Sequence, residues 1–226
     1  MPKKASRRKT SSNSSNSSNS KSSNLRSKVT AKMFEAAKEQ QDRPKDALEL
    51  LKTDHQEVAE LFDNFGSART AAQKKALIGE ICLALSIHTR IEEDVFYPAA
   101  KKALDEDDRE LVLEAKVEHA TLKDLIAQVE SAPESEEFEA KVKVMSEYVQ
   151  HHVREEETQL FPRLQSAALD LDQLGQKLQA RKLELLDGFA TKSSRLVRPQ
   201  KPSSLFRQRS ARSGRTSSTR QQHARG

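Results

Sequence analysis

The chain lacks the residues and the apolar runs that several classes of protein require. Its one cysteine, Cys82, cannot form an intramolecular disulfide or a cysteine-based zinc cluster. No uncharged apolar run approaches the ~18 residues that a membrane span needs. Residues 2–24 contain no Leu, Ile, Val or Phe, so they offer neither the apolar core of a secretory signal nor an amphipathic transit helix. These absences predict a cytoplasmic, reducing location without membrane insertion.

Acidic residues are missing from both ends of the chain. Residues 1–28 hold eight of the 39 Lys and Arg, and residues 192–226 hold ten, but none of the 34 Asp and Glu lie in either segment. Residues 29–191 therefore carry 21 basic and 34 acidic side chains, a net charge of −13. The pattern predicts an acidic folded body between two basic tails, 1–28 and 192–226. Both tails are expected to be disordered because their Ser-, Asn- and Arg-rich sequences offer little apolar surface to bury.

Helical periodicity dominates the body. Apolar residues recur at three- and four-residue spacing in five segments, about 44–65, 69–97, 107–131, 134–161 and 166–187, and a short helix is expected at about 29–41. Because the first four are joined by short connections, sequential neighbours should be antiparallel. The sequence thus predicts an all-α protein: an up-down-up-down antiparallel four-helix bundle over residues 45–163, with an added C-terminal helix at 166–187.

The body also contains an internal repeat with an offset of 64 residues. The strings HTRIEEDVFYP, from His88 to Pro98, and HVREEETQLFP, from His152 to Pro162, occupy matching positions, and His55 likewise maps onto His119. The chain therefore contains two helical hairpins of one pattern. Neither can bury its apolar stripe alone, so the two are expected to pack together.

Each of the four main helices places one histidine on its apolar stripe, and two add a glutamate at i+4 on the same face. A lone histidine there is more often a hydrogen-bonded core residue than a ligand, and a lone glutamate is more often solvated. Two buried carboxylates without compensation would, however, cost several kcal/mol each. The joint pattern therefore predicts a metal site. The candidate metal ligands are His55, His88, Glu92, His119, His152 and Glu156.

The ligand types narrow the choice of metal. Imidazole and carboxylate suit iron, manganese, zinc or copper, and the absence of thiolate argues against a soft-metal site. Six ligands exceed the four of a tetrahedral zinc, whereas two ions bridged by Glu92 and Glu156 would use all six. Carboxylate-bridged di-iron centres inside helical bundles are a known solution of this type.

The order of these motifs resembles the hemerythrin-like HHE cation-binding family. The resemblance rests on a histidine in helix one, His-x-x-x-Glu followed by FYP in helix two, Glu-His in helix three, and His-x-x-x-Glu followed by FP in helix four. It implies a non-haem centre of two iron ions, bridged by carboxylates and an oxo or hydroxo group. It also implies a small diatomic ligand such as O2 or NO, and a role in oxygen, NO or redox sensing or in iron handling.

Two positions depart from the oxygen carriers that the family includes. Their second helix-three histidine corresponds here to Lys123, and their helix-four carboxylate would correspond to Glu157, whereas the internal repeat favours Glu156. Sensing, redox or metal-holding chemistry is accordingly expected in preference to reversible oxygen carriage.

Two other functions compete with this interpretation. The basic tails could bind nucleic acid weakly and non-specifically through its phosphates, or the centre could serve a di-iron oxidase or peroxidase-like enzyme, although no substrate pocket is evident.

Several further polar residues lie close to the candidate ligands in the sequence. Tyr97 is expected to pack at a helix end, with a hydrogen bond near bound oxygen as the alternative. His151 should lie on the surface because it sits about 100° around the helix from His152. Asp54 and Glu118 precede two of the candidate histidines at matching positions, and a supporting role or a surface position is expected equally for them.

Overall fold

The computed structural model describes residues 29–38, 46–131 and 135–197, and within these ranges all regular structure is helical. The predicted disorder of residues 1–28 lies outside the described residues. The short helix α1 covers residues 29–38, within the predicted 29–41. The other elements are α2 (Ala47–Ser67), α3 (Ala71–Ile91), π1 (Glu92–Phe96), α4 (Tyr97–Ala103), α5 (Arg109–Ser131), α6 (Phe138–Glu155), π2 (Glu156–Leu160), α7 (Phe161–Ser166) and α8 (Leu171–Val197).

Capping side chains determine where α2 and α3 begin. The Asp46 carboxylate accepts a hydrogen bond of 2.8 Å from the Glu49 amide and so caps α2. Thr70 and Gln73 form a reciprocal capping box at the start of α3. Both helices begin two or three residues later than predicted, since a capping residue precedes the first helical one.

Two predicted helices are each interrupted by a π turn. The predicted helix 69–97 consists of α3, π1 and α4, and the predicted helix 134–161 consists of α6, π2 and α7. Proline follows closely after each π turn, as Pro98 and Pro162. A proline ring inside a helix clashes with the carbonyl four residues earlier, and the wider π turn relieves that clash while the chain continues.

The C-terminal helix differs from its predicted range, 166–187. It begins at Leu171 and runs through Gly188 to Val197. A glycine in a helix costs only about 1 kcal/mol relative to alanine, which the apolar face of α8 offsets. Residues 192–197 of the predicted disordered tail, 192–226, are therefore helical, and residues 198–226 lie outside the described residues.

The apolar core consists of two clusters. One is centred on Leu48, Ile91 and Phe161 and is covered by α8. The other is centred on Val58, Ile81 and Met145. In α2 and α5, residues of the first cluster precede the buried histidine and residues of the second follow it. In α3 and α6 most residues before the histidine belong to the second cluster, and Ile91 of α3 and Leu160 of π2, which belong to the first, come after it. Polar side chains thus occupy the layer between the two halves of the core.

Candidate metal centre

The four buried histidines meet in two pairs. The Nε2 atoms of His55 and His88 lie 3.2 Å apart, and those of His119 and His152 lie 3.1 Å apart. Each pair comes from the two helices of one hairpin. All four side chains are nearly inaccessible to solvent, with relative exposures of 0 to 6%. Four imidazoles therefore direct one nitrogen each towards a shared interior space.

Two glutamates lie between the histidine pairs. Oε2 of Glu92 is 3.1 Å from His88 Nε2 and 3.3 Å from His119 Nε2. Oε2 of Glu156 is 3.4 Å from His55 Nε2 and 3.8 Å from His152 Nε2. Each carboxylate therefore approaches both pairs. The structure brings together all six residues that the sequence selected as candidate ligands.

The π turns begin at these two glutamates. Glu92 is the first residue of π1 and Glu156 is the first residue of π2. Single π turns within α-helices occur frequently at functional sites. Both stretches were predicted as regular helix, and the apolar periodicity did not indicate the π turns. The repeated proline, Pro98 and Pro162, was the signal that could have indicated them.

A second layer of carboxylates contacts the outward nitrogens of the histidines. His55 Nδ1 is 2.8 Å from Glu157 Oε1, and His119 Nδ1 is 3.2 Å from Glu93 Oε1. These contacts cross between hairpins and are related by the 64-residue offset. A histidine that ligates a metal through Nε2 is commonly oriented by a carboxylate or carbonyl at Nδ1. Glu93 and Glu157 thus lie outside the cluster, where they orient its histidines.

The other two histidines are paired within their own hairpins. His152 Nδ1 is 2.7 Å from Glu118 Oε2, and His88 Nδ1 lies 3.8 Å from Asp54 Oδ2. Asp54 instead accepts a hydrogen bond at Oδ1 from the buried Nζ of Lys182 in α8, at 2.5 Å. This pairing accompanies the longer distance to His88. Of the two residues whose roles the sequence left open, Glu118 therefore contacts a histidine directly, whereas Asp54 pairs with Lys182 and leaves His88 Nδ1 without a hydrogen-bond partner among the described residues.

The electrostatics of the cluster favour a bound cation. Among the described residues, Glu92 Oε1 and Oε2 and Glu156 Oε2 are buried with no hydrogen-bond partner. Burial raises the pKa of Glu92 well above its usual range, and the Glu156 charge raises it further. Two such carboxylates at 0 and 2% exposure are costly, and a metal ion would compensate both. The donor set of imidazole nitrogen and carboxylate oxygen therefore fits a transition metal.

The histidines differ in their surroundings. Burial lowers the pKa of His55, but the nearby carboxylates of Glu156 and Glu157 outweigh burial and raise the pKa to about 10. Burial lowers the pKa of His88 to about 4. For Asp54, burial raises the pKa, yet the Lys182 ammonium outweighs it and holds the value at about 2. The pocket around His55 thus attracts positive charge, which is what a cation would supply.

Tyr97 makes a polar contact that the favoured packing interpretation did not include. Its side chain is 1% exposed, and its hydroxyl donates to Glu156 Oε1 at 2.8 Å and lies 3.1 Å from His119 Nε2. Phe161, at the matching position of the other hairpin, instead stacks on the His55 ring with centroids 6.0 Å apart. Among the described residues, the Tyr97 hydroxyl therefore contacts the cluster from one side, and the matching position on the other side is the apolar Phe161.

Lys123 and His151 both lie outside the cluster. The Lys123 ammonium binds Glu93 at 2.5 and 2.6 Å and does not enter the cluster. The His151 side chain is 57% exposed, as the helical geometry predicted. Cys82 is buried in the second core cluster. His223 lies outside the described residues.

The helical body is similar to known proteins. The profile of the Hemerythrin HHE cation binding domain matches residues 46–164, just over half of the chain. A solved structure, a hemerythrin HHE cation binding domain-containing protein from Mycobacterium kansasii that is a homolog of Rv2633c, is 27% identical with a TM-score of 0.57. That likeness covers 67% of this chain and 93% of the solved one.

A curated relative is a DNA nickase from Nostoc sp., 28% identical over 114 residues. The similarity covers 50% of this chain but only 32% of the relative. Among the described residues, no helix is both long and apolar enough to cross a membrane.

Proposed function

The chain belongs to the hemerythrin HHE cation binding domain family, and on that basis we propose that its buried cluster holds two iron ions as a non-haem di-iron centre. This proposal is supported by the way the candidate ligands fall into two groups of donor atoms. One group of mutually close donor atoms comes from His55, His88, Glu92 and Glu156, and another from Glu92, His119 and His152. Glu92 belongs to both groups, and Glu156 lies within 3.8 Å of the second. Two ions, each on one histidine pair and bridged by both carboxylates, would use every donor.

Iron is the metal that this donor set supports best within the proposal. The cluster offers nitrogen and oxygen without thiolate, which suits iron or manganese better than soft ions. Two bridging carboxylates in a helical bundle are the arrangement of carboxylate-bound di-iron proteins. When bound, iron would supply redox chemistry and open coordination positions for a small ligand.

We propose that this ligand is a diatomic molecule such as O2 or NO, and that the protein senses it, responds to redox state or handles iron. A cleft of about 10 Å³ beside the cluster is lined by Glu156 among others, and this is roughly the space of one water. An organic substrate does not fit that cleft. A sensing or iron-handling role is therefore favoured over an oxidase or peroxidase-like enzyme.

The direction of the helices also belongs to the proposal. We infer that α2, α3, α5 and α6 alternate up and down. In α2 and α5 the residues of the first core cluster precede the histidine, and in α3 and α6 the residues of the second cluster precede it. An alternating arrangement is what this order supports, and it brings the four histidines to one level.

Absorption spectroscopy tests the diatomic ligand. The metal-free protein would be loaded with Fe²⁺ without oxygen and then exposed to O2 or to NO. We expect new visible absorption after each gas, absent from a Glu92→Ala variant treated in the same way. A loaded protein whose spectrum is unchanged by both gases would overturn the proposed sensing role.

Nucleic-acid binding is a second candidate, favoured by the charge of the tails and by the name of the curated relative. The ten basic residues of 192–226 could neutralise phosphates, which would make DNA affinity fall steeply with salt. Replacing the arginines of this tail by glutamine should flatten the salt dependence and leave the iron content unchanged. Equal salt slopes for the two proteins would remove this candidate.

A further inference from the structure

A second group of metal-ligating side chains lies on the surface beside the buried cluster. His151 Nε2 is 3.4 Å from Glu155 Oε1 and 3.7 Å from Glu118 Oε1. Ligands bound to one ion at ~2.1 Å are separated by about 3.0–3.5 Å, close to these distances. The side chains are 57, 29 and 13% exposed. The outer group can therefore reach ions in solvent.

Glu118 connects this outer group to the buried cluster. Its Oε1 faces His151, while its Oε2 accepts the hydrogen bond from His152 Nδ1 at 2.7 Å. The narrow cleft between α5 and α6 is lined by Glu114, Glu118 and Glu155 and also by Glu156. Glu156 is 2% exposed, and its Oε2 is without a hydrogen-bond partner among the described residues. A buried carboxylate of the cluster thus lines the same cleft as the acidic residues of the outer group.

The internal repeat shows that this opening is specific to one half of the body. The 64-residue offset maps His151 onto Ile87 and Glu155 onto Ile91, which are 1% and 0% exposed. It maps Glu118 onto Asp54, which is bound by Lys182. Helix α8 packs on α2 and α3 and covers this half. One face is therefore sealed by apolar residues and an ammonium, and the equivalent face presents ligands to solvent.

We propose that His151, Glu155 and Glu118 form an outer divalent-cation site that captures Fe²⁺ and passes it along the acidic cleft to the buried cluster. This inference rests on the proposed di-iron function and adds a route of loading to it. No electron transfer or bond rearrangement beyond ligand exchange is required. Clefts lined by one sign of charge raise the capture rate of oppositely charged solutes by about 10- to 1,000-fold, and mixed imidazole and carboxylate ligands suit Fe²⁺.

The kinetics of iron uptake test the route. Metal-free wild-type protein and a His151→Ala/Glu155→Gln variant would receive two equivalents of Fe²⁺ without oxygen. The amount of iron resistant to a brief chelator challenge is then followed with time. Neither altered residue contacts the inner donor atoms. The variant should fill at least about tenfold more slowly and reach the same final amount. Equal rates would overturn the proposal.

A matched control separates the site from general charge. Glu147→Gln removes a carboxylate from the same helix α6, but Glu147 pairs with Lys143 at 3.7 Å rather than with His151. It should fill at the wild-type rate, and a slowing equal to that of the double variant would overturn the specific route. Equilibrium dialysis against Fe²⁺ supplies the second readout, with one more chelator-labile ion per chain expected in wild type than in the double variant. Equal counts would contradict the outer site.

The two proposals fail in different ways. If wild-type protein accumulates no chelator-resistant iron, the di-iron function and the route both fail, and the dialysis count alone decides whether the outer site exists. If wild type and variant both fill at one rate, the di-iron function stands and the route is wrong.

Discussion

Glu157 Oε1 lies 2.8 Å from the outward nitrogen of His55, and its neighbour Glu156 points into the cluster. These adjacent glutamates of π2 therefore differ in position. Glu156 lies among the candidate ligands, and Glu157 contacts the far side of the His55 ring. Glu92 and Glu93 repeat this division in the other hairpin, where Glu93 contacts His119. The oxygen carriers would place the ligand at Glu157, whereas the internal repeat favoured Glu156, and Glu156 is the one whose Oε2 lies beside His55 and His152.

Replacing Glu156 and Glu157 by glutamine, one at a time, tests whether they have these different roles. Glu156→Gln should remove a bridging donor and abolish stable binding of the second iron. Glu157→Gln should weaken iron binding by about 10- to 100-fold, because it leaves the ligands in place but loosens the orientation of His55. Iron affinity measured by competition with a chelator distinguishes the two. An essential Glu157 beside a dispensable Glu156 would show that the assignment is reversed.

The adjacent histidines of α6 provide a second matched pair. His152→Ala should lose iron, because His152 lies 3.1 Å from His119 in the cluster. His151→Ala should retain tightly bound iron after desalting, because His151 faces solvent. Elemental analysis of the loaded and desalted variants gives the iron per chain. Loss in the His151 variant with retention in the His152 variant would contradict the helical register.

Much of this site followed from the sequence because it depends on local spacing. The i+4 relation of His88 to Glu92, and the offset to His152 and Glu156, placed the candidate ligands on inward faces before any packing was known. The carboxylates that contact Nδ1 of the histidines could not be predicted from local spacing. The contact between His55 and Glu157 joins residues 102 positions apart, and the packing of separate hairpins determines it.

The sequence pattern also gave no indication that α8 contributes a buried partner to Asp54. Lys182 meets Asp54 across 128 residues, and no periodic pattern indicates that a lysine on an otherwise amphipathic helix is buried. The helix α8 also continues beyond the predicted end at residue 187, because a single glycine such as Gly188 is only a modest helix breaker.

The buried pair of Lys182 and Asp54 gives a prediction for stability. Lys182→Met should lower the free energy of unfolding by about 3–5 kcal/mol, since it leaves the Asp54 charge buried and unpaired. Lys177→Met, on an exposed part of the same helix, should change it by no more than about 0.5 kcal/mol. Urea unfolding of the metal-free proteins measures both. Equal stabilities for the two variants would show that the pair is dispensable.

The raised pKa values predict how the metal-free protein responds to alkali. The pKa of His55 is raised from 6.5 to about 10, and that of Glu92 is raised well above 4.5. A group whose pKa is higher in the folded state stabilises it fully below the unfolded pKa and loses this contribution as pH rises. The melting temperature of the metal-free protein should therefore fall from about pH 6.5 to pH 10.

The metal-loaded protein is the control for that titration. Bound iron requires deprotonated ligands, so its melting temperature should fall less over the same range and should lie above that of the metal-free protein at each pH, because binding to the folded state alone adds stability. Identical melting curves would show that the cluster binds no metal in the folded protein.

The most direct test of the account is the number of irons that the buried cluster holds and what binds them. The protein would be loaded with Fe²⁺ without oxygen, desalted, and examined by elemental analysis together with X-ray absorption spectroscopy. The account predicts close to two irons per chain, with nitrogen and oxygen ligands and a second iron detectable near the first. A single tetrahedral zinc, or no retained metal after anaerobic loading, would contradict it.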